Sequence, residues 1–282
     1  MDLSPLLEWI GHSERRHDCV GAAPLAGLAA LLDHDEPELL PGMPAPLLAH
    51  WLFFTPTTRQ SEIGPDGHAQ RGGFLPPVPL PRRMWAGGRF EFMHPLRVGD
   101  EIERVSTVQD VSSKTGREGP LVFVTVHHEL RNPQGLALTE EHDIVYRGAP
   151  LPGASPEAAQ PAPTDEAFSR RIVPDPVLLF RYSALTFNGH RIHYDRSYAT
   201  GIEGYPGLVV HGPLIATLLL DLLVQHEPKA RVRHFVYRAL KPLFDIHPFE
   251  VCGRAESRRG VLLWARDHEG ALAMQAHVDL AI

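Results

Sequence analysis

The chain has 282 residues, enough for one large domain or two of ordinary size, and its 43% hydrophobic and 22% charged residues are typical of globular proteins. A net charge of −7 argues against a nucleic-acid partner, because nucleic-acid-binding proteins usually present a concentrated basic face. The two cysteines, Cys19 and Cys252, lack zinc-type spacing, which favours a reducing compartment without disulfides. No signal peptide or membrane-spanning run is evident, so we expect a cytoplasmic protein without a membrane partner.

The first half of the chain contains three kinds of pattern. Residues 4–35 predict helices, with a short apolar face near the start and an Ala/Leu-rich face over residues 22–32. Residues 36–83 are rich in proline and glycine, which excludes a regular helix or a central strand. Such a long loop is often a lid or pocket wall, although a cover for a sheet edge is an equally good interpretation. From residue 89 to 147, β-forming runs separated by turns predict an antiparallel meander.

The second half repeats this order after a Pro/Ala-rich segment, 148–164, that predicts a linker. An apolar helix is expected over residues 212–226, followed by four strand-like runs between residues 234 and 282. Two short matches favour an internal duplication. Residues 92–96 and Glu103 align with residues 239–243 and Glu250, and residues 141–144 resemble residues 276–279.

Each half therefore offers one apolar helix and at least four antiparallel strands. A helix so apolar must be covered on most sides, and a curved sheet wrapped around it provides that cover. The predicted fold is α+β, a double hotdog, with an N-terminal hotdog over residues 1–147, the linker over 148–164 and a C-terminal catalytic hotdog over 165–282. The first half lacks an Asn/Asp-x-x-x-x-His site before its helix, so we expect it to shape the pocket.

The richest concentration of chemically active side chains lies between Asn188 and Asp195. His193 is the natural proton carrier there, because imidazole titrates near neutral pH without help. His190 lies three residues before it, and the pair could share a metal ion. No third ligand stands at a recognisable spacing, so no metal is expected. Without further evidence, a capped surface loop is the usual interpretation of such a turn.

The start of the apolar helix adds a second element, His211-Gly212-Pro213. Proline is tolerated in the first turn, where its missing N–H costs nothing. Gly212 allows another group to approach the backbone, and its N–H lies at the positive end of the helix dipole. Such a donor suits a developing oxyanion. A histidine base and an oxyanion donor are the two groups that a thioester enolate reaction requires, although a simple helix start would look the same.

Two blocks of this sequence resemble the motifs of R-specific enoyl-thioester (MaoC-like) hydratases. Residues 188–193 (NGHRIH) match Asp-x-Asn-Pro-[Ile/Leu/Val]-His without gaps, and residues 207–212 (GLVVHG) match the second block. The variant motif resembles the type 2 hydroxyacyl-thioester dehydratases. Residues 9–11 (WIG), 72–77 (GGFLPP) and 82–88 (RRMWAGG) resemble the bacterial fungal-synthase-like dehydratases, a group that includes hydratases of mesaconyl-C4-CoA (3-methylfumaryl-CoA) and itaconyl-CoA.

The resemblance implies that His193 is the catalytic base and that the Gly212 N–H binds the thioester carbonyl. The family's catalytic aspartate is Asn188 here, and an amide cannot exchange a proton at neutral pH. We therefore expect Asn188 to orient the attacking water. Tyr182 and Asp195 are expected to be supporting residues, with Asp195 either holding the imidazole tautomer or acting only in the structure.

The resemblance also implies a branched, dicarboxylic enoyl-CoA substrate, hydrated reversibly to citramalyl-CoA, with no cofactor besides the CoA of the substrate. Arg191 is the first candidate for the free carboxylate, because a guanidinium binds a carboxylate through paired bonds. A solvent-facing Arg191 is an equally good interpretation. Further candidates for substrate binding are Arg181, His190 and His211, and candidates for the CoA tunnel, which the sequence does not rank, are Arg82, Arg83, Trp85 and Arg89.

Two alternatives stay open at this stage. One is a general 3-hydroxyacyl-thioester dehydratase acting on fatty chains, including those carried by an acyl carrier protein. The other is a non-catalytic protein that binds acyl thioesters, because the family's aspartate is missing. Hotdog sheets often pair edge to edge, which makes a homodimer possible.

Overall fold

The computed structural model describes residues 3–35, 39–116, 119–148 and 159–281. The helices are α1 (Ser4–Leu7), α2 (Ala22–Leu31), α3 (Pro176–Thr186), α4 (Arg196–Gly201) and α5 (Gly212–His226). The strands are β1 (Ser13–Cys19), β2 (Arg82–Phe92), β3 (Glu101–Gly116), β4 (Gly119–Asn132), β5 (Gly135–Arg147), β6 (Phe168–Ile172), β7 (Val232–Ala239), β8 (Phe249–Ala255), β9 (Gly260–Arg266) and β10 (Leu272–Leu280). Among the described residues, no helix is long and apolar enough to cross a membrane.

The ten strands form one antiparallel sheet in the order β1-β3-β4-β5-β2-β7-β10-β9-β8-β6. Strands β2 and β7 pair at its centre, where Gly87 lies opposite Arg238 and Glu91 opposite His234. Outwards from this central pair, the strands follow the order β2, β5, β4, β3, β1 on one side and β7, β10, β9, β8, β6 on the other. The two halves therefore match strand for strand. This is the α+β double hotdog architecture expected from the sequence.

The internal repeat is visible in the hydrogen bonds at the ends of β2 and β7. The N–H groups of Met93 and His94 both donate to the carbonyl of Ala137, at 2.8 and 3.0 Å. The next two residues after β7, residues 240 and 241, donate to the carbonyl of Ala273 at 2.8 and 3.1 Å. The alignment of residues 92–96 with 239–243 therefore has a structural counterpart.

The second sequence match, which aligned residues 141–144 with residues 276–279, is wrong by one residue. Glu141 lies opposite Arg89 on β2, and His277 lies opposite Val236, which is the β7 counterpart of Arg89. His277 therefore corresponds to Glu141, whereas the sequence match aligned His277 with His142. The similarity of the two segments was local and did not follow the strand pairing.

The prediction of helix across residues 4–35 is wrong over Ser13–Cys19, which form the edge strand β1 against Glu101–Thr107. Most side chains of β1 are exposed, so the sequence SERRHDC has no apolar alternation to indicate a strand. Charged residues such as Arg15, which bonds Glu103 at 3.2 Å, are common on edge strands, where they discourage pairing with another chain. Strand β2 begins at Arg82, inside the predicted loop over residues 36–83, whereas strands were expected only from residue 89.

Helix α5 anchors the second half. Its buried residues include Leu214, Leu218, Leu219 and Leu222, and it packs against β8 and β9. Full burial of each leucine contributes about 1.5–3 kcal/mol relative to exposure, so the helix is firmly held. The position of its first residue, Gly212, is fixed as a result.

The predicted linker is only partly described. Residues 149–158 lie outside the described residues. The end of the predicted linker pairs with the start of β10 instead: Ala162 is buried and its N–H donates to the Gly270 carbonyl at 2.9 Å, and the Leu272 N–H donates to the Gln160 carbonyl at 2.8 Å. The division at residues 148–164 stays a prediction.

Candidate active site

A turn from the first half of the chain docks onto the motif loop of the second half. The N–H of Arg191 donates to the carbonyl of Asp66 at 2.9 Å. Gly67 has a φ of +89°, and a Cβ atom there would lie 1.8 Å from the Gly189 carbonyl oxygen. Only glycine at position 67 allows both this backbone conformation and this close approach.

The docked turn closes one side of a cavity of about 1130 Å³ that both halves of the chain line. The loop over residues 36–83 contributes Ile63, His68 and Phe74, so it is a pocket wall, one of the two roles considered for it. The motif loop contributes Asn188 and His193.

His193 lies at the wall of this cavity with a defined tautomer. Its Nδ1 lies 2.7 Å from the Val209 carbonyl, which can only accept a hydrogen bond, so Nδ1 carries the proton and Nε2 has a lone pair. Burial lowers the pKa of His193 to about 4, although the bond to Val209 opposes that shift. A neutral imidazole with a free lone pair can act as a general base.

The side chain of His211 supports His193 from behind, which corrects its assignment to substrate binding. The two rings stack with centroids 3.7 Å apart, and the Nε2 atom of His211 is hydrogen-bonded to the Ser183 hydroxyl at 2.8 Å. His211 has no exposed surface, and Tyr182 packs against its ring with centroids 5.0 Å apart. A side chain in this position contacts the His193 ring and is not part of the cavity lining. The predicted supporting role of Tyr182 fits this contact.

Gly212 opens α5 and lines the cavity directly. Its N–H belongs to the first turn, where no intrahelical acceptor exists, and it lies at the positive end of the helix dipole. A Cβ atom at Gly212 would meet nothing closer than the Cβ of Trp85, at 3.9 Å. The backbone at Gly212 is therefore not covered by a side chain of its own and is open to the cavity.

The side chain of Asn188 combines a local bond with access to the cavity. Its Oδ1 accepts from the N–H of His190 at 3.0 Å, and the residue lines the cavity beside His193. The amide Nδ2 is left as a donor toward a bound water. Such a donor would hold the water oxygen while leaving its protons for the base.

Comparison with known proteins assigns the family. A family model described as hydroxyacyl-thioester dehydratase type 2 matches residues 48–245, most of the chain. The chain belongs to the type 2 hydroxyacyl-thioester dehydratase family. It is 45% identical over 282 residues to the mesaconyl-C(4)-CoA hydratase of Chloroflexus aurantiacus, covering 99% of each chain. It is 27% identical to a mitochondrial hydroxyacyl-thioester dehydratase type 2 of Schizosaccharomyces pombe, covering 83% of this chain and 88% of the relative.

Solved structures support the fold of this type 2 dehydratase. A MaoC-like dehydratase matches with a TM-score of 0.74 at 16% identity, covering 98% of this chain and 99% of the other. A Mycobacterium tuberculosis protein described as a double hotdog matches with a TM-score of 0.64 at 13% identity, covering 96% of each chain. The double hotdog prediction is therefore confirmed.

Arg191, the first candidate for the substrate carboxylate, already has partners in this type 2 dehydratase. Its Nε and Nη2 donate to the same Asp195 oxygen at 3.0 and 2.7 Å, and Nη1 donates to the Pro65 carbonyl at 3.0 Å. The guanidinium also lies 4.3 Å from the ring centroid of Tyr198. Arg191 lines the cavity but holds two loops together, and its charge is already paired with Asp195.

The contacts of Asp195 fit the structural one of the two roles considered for it, whereas Arg181 differs from its expected place in substrate binding. Asp195 caps α4 by accepting from the Tyr198 N–H at 3.0 Å, whereas the His193 tautomer is set by Val209, so its role is structural. Arg181 is exposed and lies outside the cavity lining. Residues 180, 183 and 184 of α3, and residue 187 just after it, line the cavity. Arg181 follows residue 180 directly and therefore lies on a different face of the helix.

The structure ranks the arginines of β2, which the sequence did not. Arg82 is paired with Glu203 at 2.9 Å, and Arg89 with Asp143 at 2.6 Å. Arg83 lines the cavity and makes no hydrogen bond or ion pair within the described part of the chain. It is a cation facing a cavity, without a protein anion to neutralise it.

Sequence reasoning missed the pair Asp66 and His68. The Nδ1 of His68 donates to Asp66 Oδ2 at 3.0 Å, and the ring centroids of His68 and His190 are 4.1 Å apart. The side-chain donor atoms of these three residues lie within 4.8 Å of one another, a spacing that also suits a cation, so the expected absence of a metal stays an untested prediction. The Asp-x-His spacing was the available signal, and it was interpreted only as a turn.

The close approach of the two loops gives a direct prediction for Gly67→Ala. The new Cβ would clash with the Gly189 carbonyl, so the turn should undock and hydratase activity should fall. Gly72→Ala is the matched control, because Gly72 has a similar φ of +91° but nothing within 3.7 Å of its added Cβ. The clash should cost Gly67→Ala ~1–3 kcal/mol more free energy of unfolding than the control loses. Equal losses in chemical denaturation would contradict this packing.

Proposed function

We propose that this protein catalyses the reversible hydration of mesaconyl-C4-CoA, a branched dicarboxylic enoyl thioester, to citramalyl-CoA. One observation carries the proposal: a single cavity brings together the neutral base His193, the backbone donor of Gly212 and the unpaired cation Arg83. The 45% identity to a mesaconyl-C(4)-CoA hydratase over the whole chain supports it.

In the proposed reaction, the thioester oxygen accepts a hydrogen bond from the Gly212 N–H. The Nε2 of His193 removes a proton from a water held by Asn188, and the water oxygen attacks the β-carbon. Negative charge then develops on the thioester oxygen, where the helix dipole stabilises it. General-base catalysis of this kind contributes ~10²–10⁴-fold, and one oxyanion donor ~10²–10³-fold.

Arg83 replaces Arg191 as the proposed carboxylate ligand. In mesaconyl-C4-CoA the thioester carbon and the carboxylate carbon are three bonds apart, ~4 Å by standard bond lengths. Residues 83 and 85 lie on the same face of β2 and ~6–7 Å apart, because alternate strand residues share a face. Trp85 flanks Gly212, so the guanidinium of Arg83 can reach a carboxylate whose thioester is bound at Gly212.

A fatty-chain dehydratase is the second candidate. The cavity is large, and its lining includes apolar residues such as Val126 and Ile144. However, the lining also includes Arg104, His128 and His142, and an apolar chain packed against these polar groups would have to desolvate them. A non-catalytic binding protein is the weakest candidate, because the base and the oxyanion donor are both in place.

The remaining sequence expectations belong to this proposal. The protein would need no cofactor besides the CoA of its substrate, would act in the cytoplasm, and would bind neither nucleic acid nor membrane. A homodimer formed through the edges of the sheet is compatible with the fold.

The test is hydration of mesaconyl-C4-CoA, itaconyl-CoA and crotonyl-CoA by the purified protein, beside an enoyl acyl carrier protein. We expect the highest kcat/KM for mesaconyl-C4-CoA. A higher kcat/KM for crotonyl-CoA or for the carrier-protein substrate would favour the fatty-chain dehydratase. Binding of the thioesters without turnover would identify a binding protein.

A further inference from the structure

We propose that His68, oriented by Asp66, is a second catalytic residue that delivers the proton to the α-carbon of the substrate. The inference rests on the proposed hydration reaction. It addresses a specific feature of this site: Asn188 stands where the MaoC-like motif has a proton-transferring aspartate, and a second histidine of the same cavity can supply that proton transfer.

His68 lies in the same cavity as the base. It lines the wall together with His193 and Asn188, and His190 lies close to both imidazoles. The ring centroid of His190 is 4.1 Å from that of His68 and 5.4 Å from that of His193. Two imidazoles from different halves of the chain therefore line the same cavity.

The turn that holds His68 is fixed against the motif loop. Arg191 binds it twice, through its N–H to the Asp66 carbonyl at 2.9 Å and through Nη1 to the Pro65 carbonyl at 3.0 Å. The contact of Gly67 with Gly189 adds a third attachment. A proton carrier needs such a fixed position, because proton transfer depends on hydrogen-bond geometry.

Asp66 sets the tautomer of His68. Its Oδ2 accepts from His68 Nδ1 at 3.0 Å, and its Oδ1 accepts from the His68 backbone N–H at 3.0 Å. Burial opposes ionisation of Asp66, but the hydrogen bonds from His68 outweigh it and keep the pKa of Asp66 below its usual value. The carboxylate lies behind the imidazole and leaves Nε2 as the atom that carries the transferable proton. An aspartate in this position stabilises the imidazolium form.

Five charged or titratable groups interact with His68, and one of them is His193. Asp66 and Arg71 belong to its own loop, Arg83 comes from β2 and His190 from the motif loop. Burial lowers the pKa of His68, and Arg83 lowers it further, whereas Asp66 raises it. A substrate carboxylate bound to Arg83 would offset the positive charge there. Binding of a dicarboxylic substrate would therefore favour the protonated His68 that the reaction needs.

The proton balance of the step is complete. The water oxygen bonds to the β-carbon while one of its protons passes to His193 Nε2, and the π electrons move to the thioester oxygen. When the carbonyl reforms, the α-carbon takes the proton from His68 Nε2. His193 has then gained one proton and His68 has lost one, and exchange with solvent restores both.

The test compares His68→Gln and Asp66→Asn with the wild-type protein and with His94→Gln, an exposed histidine outside the cavity. With mesaconyl-C4-CoA as substrate, His68→Gln should lower kcat by ~10²–10³-fold with KM little changed. Asp66→Asn should move the alkaline limb of the kcat profile to lower pH, because the imidazolium loses its carboxylate and gives up its proton earlier. The control should match the wild type.

Three results would overturn the inference. A folded His68→Gln variant with wild-type kcat would remove His68 from the chemistry. An unchanged pH profile in Asp66→Asn would show that the pair is only structural, and this variant decides the matter if His68→Gln does not fold. Loss of wild-type activity on chelation, restored by Zn²⁺, would assign the cluster to a cation. Absence of hydratase activity in the wild-type protein would instead overturn the proposed function. The wild-type assay, done before any variant is made, distinguishes this outcome from the other three.

Discussion

His193→Ala is expected to lower kcat for hydration by ~10²–10⁴-fold, because it removes the proposed base from the cavity. The lone pair on Nε2 is available because Val209 fixes the proton on Nδ1. The buried ring also stays neutral at pH 7, since burial lowers its pKa to about 4. The KM should change less than kcat, because the proposed contact of the thioester is with Gly212. Steady-state kinetics with mesaconyl-C4-CoA measures both.

A shape-preserving variant separates chemistry from packing at this position. The His193 ring stacks on His211, so His193→Ala leaves a gap beside a buried histidine, whereas His193→Gln fills much of the space. Both variants should lose activity, and circular dichroism should show that both fold. Wild-type turnover by either folded variant would contradict the assignment of His193 as the base.

Arg83→Met is expected to change substrate preference more than overall activity. Loss of a cation that pairs with a desolvated carboxylate costs ~2–5 kcal/mol, which corresponds to a ~30–4,000-fold lower kcat/KM. That loss should appear with mesaconyl-C4-CoA and be nearly absent with crotonyl-CoA, which has no free carboxylate. The ratio of the two kcat/KM values is the measurement.

Two other arginines are matched controls for this experiment. Arg191→Met should impair both substrates alike, because Arg191 joins Asp195 to the Pro65 turn. Arg181→Met should impair neither, because Arg181 is exposed and outside the cavity lining. If Arg83→Met lowered kcat/KM equally for both substrates, the proposed role of Arg83 in binding the carboxylate would be wrong. If Arg191→Met lowered kcat/KM only for the dicarboxylic substrate, Arg191 would again be the candidate that binds the free carboxylate.

Local patterns in the sequence predicted much of the fold. The apolar run over residues 212–226 could only be a buried helix, and the alternating runs on either side of it became strands. Strand β1 was missed because an edge strand with both faces exposed carries no apolar alternation. The motif resemblance pointed to His193 and Gly212, and the structure places both in the wall of one cavity.

The missed parts of the site depend on contacts between distant residues. No local pattern shows that Gly67 lies against Gly189, so His68 could not be assigned to the cavity from sequence. The choice between arginines also depended on tertiary partners: Arg191 is neutralised by Asp195, whereas Arg83 is left without an anion. The stacking of His211 behind His193 likewise follows from the packing of α3 against the start of α5.

The most direct test is a crystal structure of His193→Gln with mesaconyl-C4-CoA bound. We expect the thioester oxygen to accept from the Gly212 N–H, the β-carbon to face position 193, and the free carboxylate to bind Arg83. A carboxylate bound to Arg191, or a thioester carbonyl away from Gly212, would contradict the proposed reaction geometry.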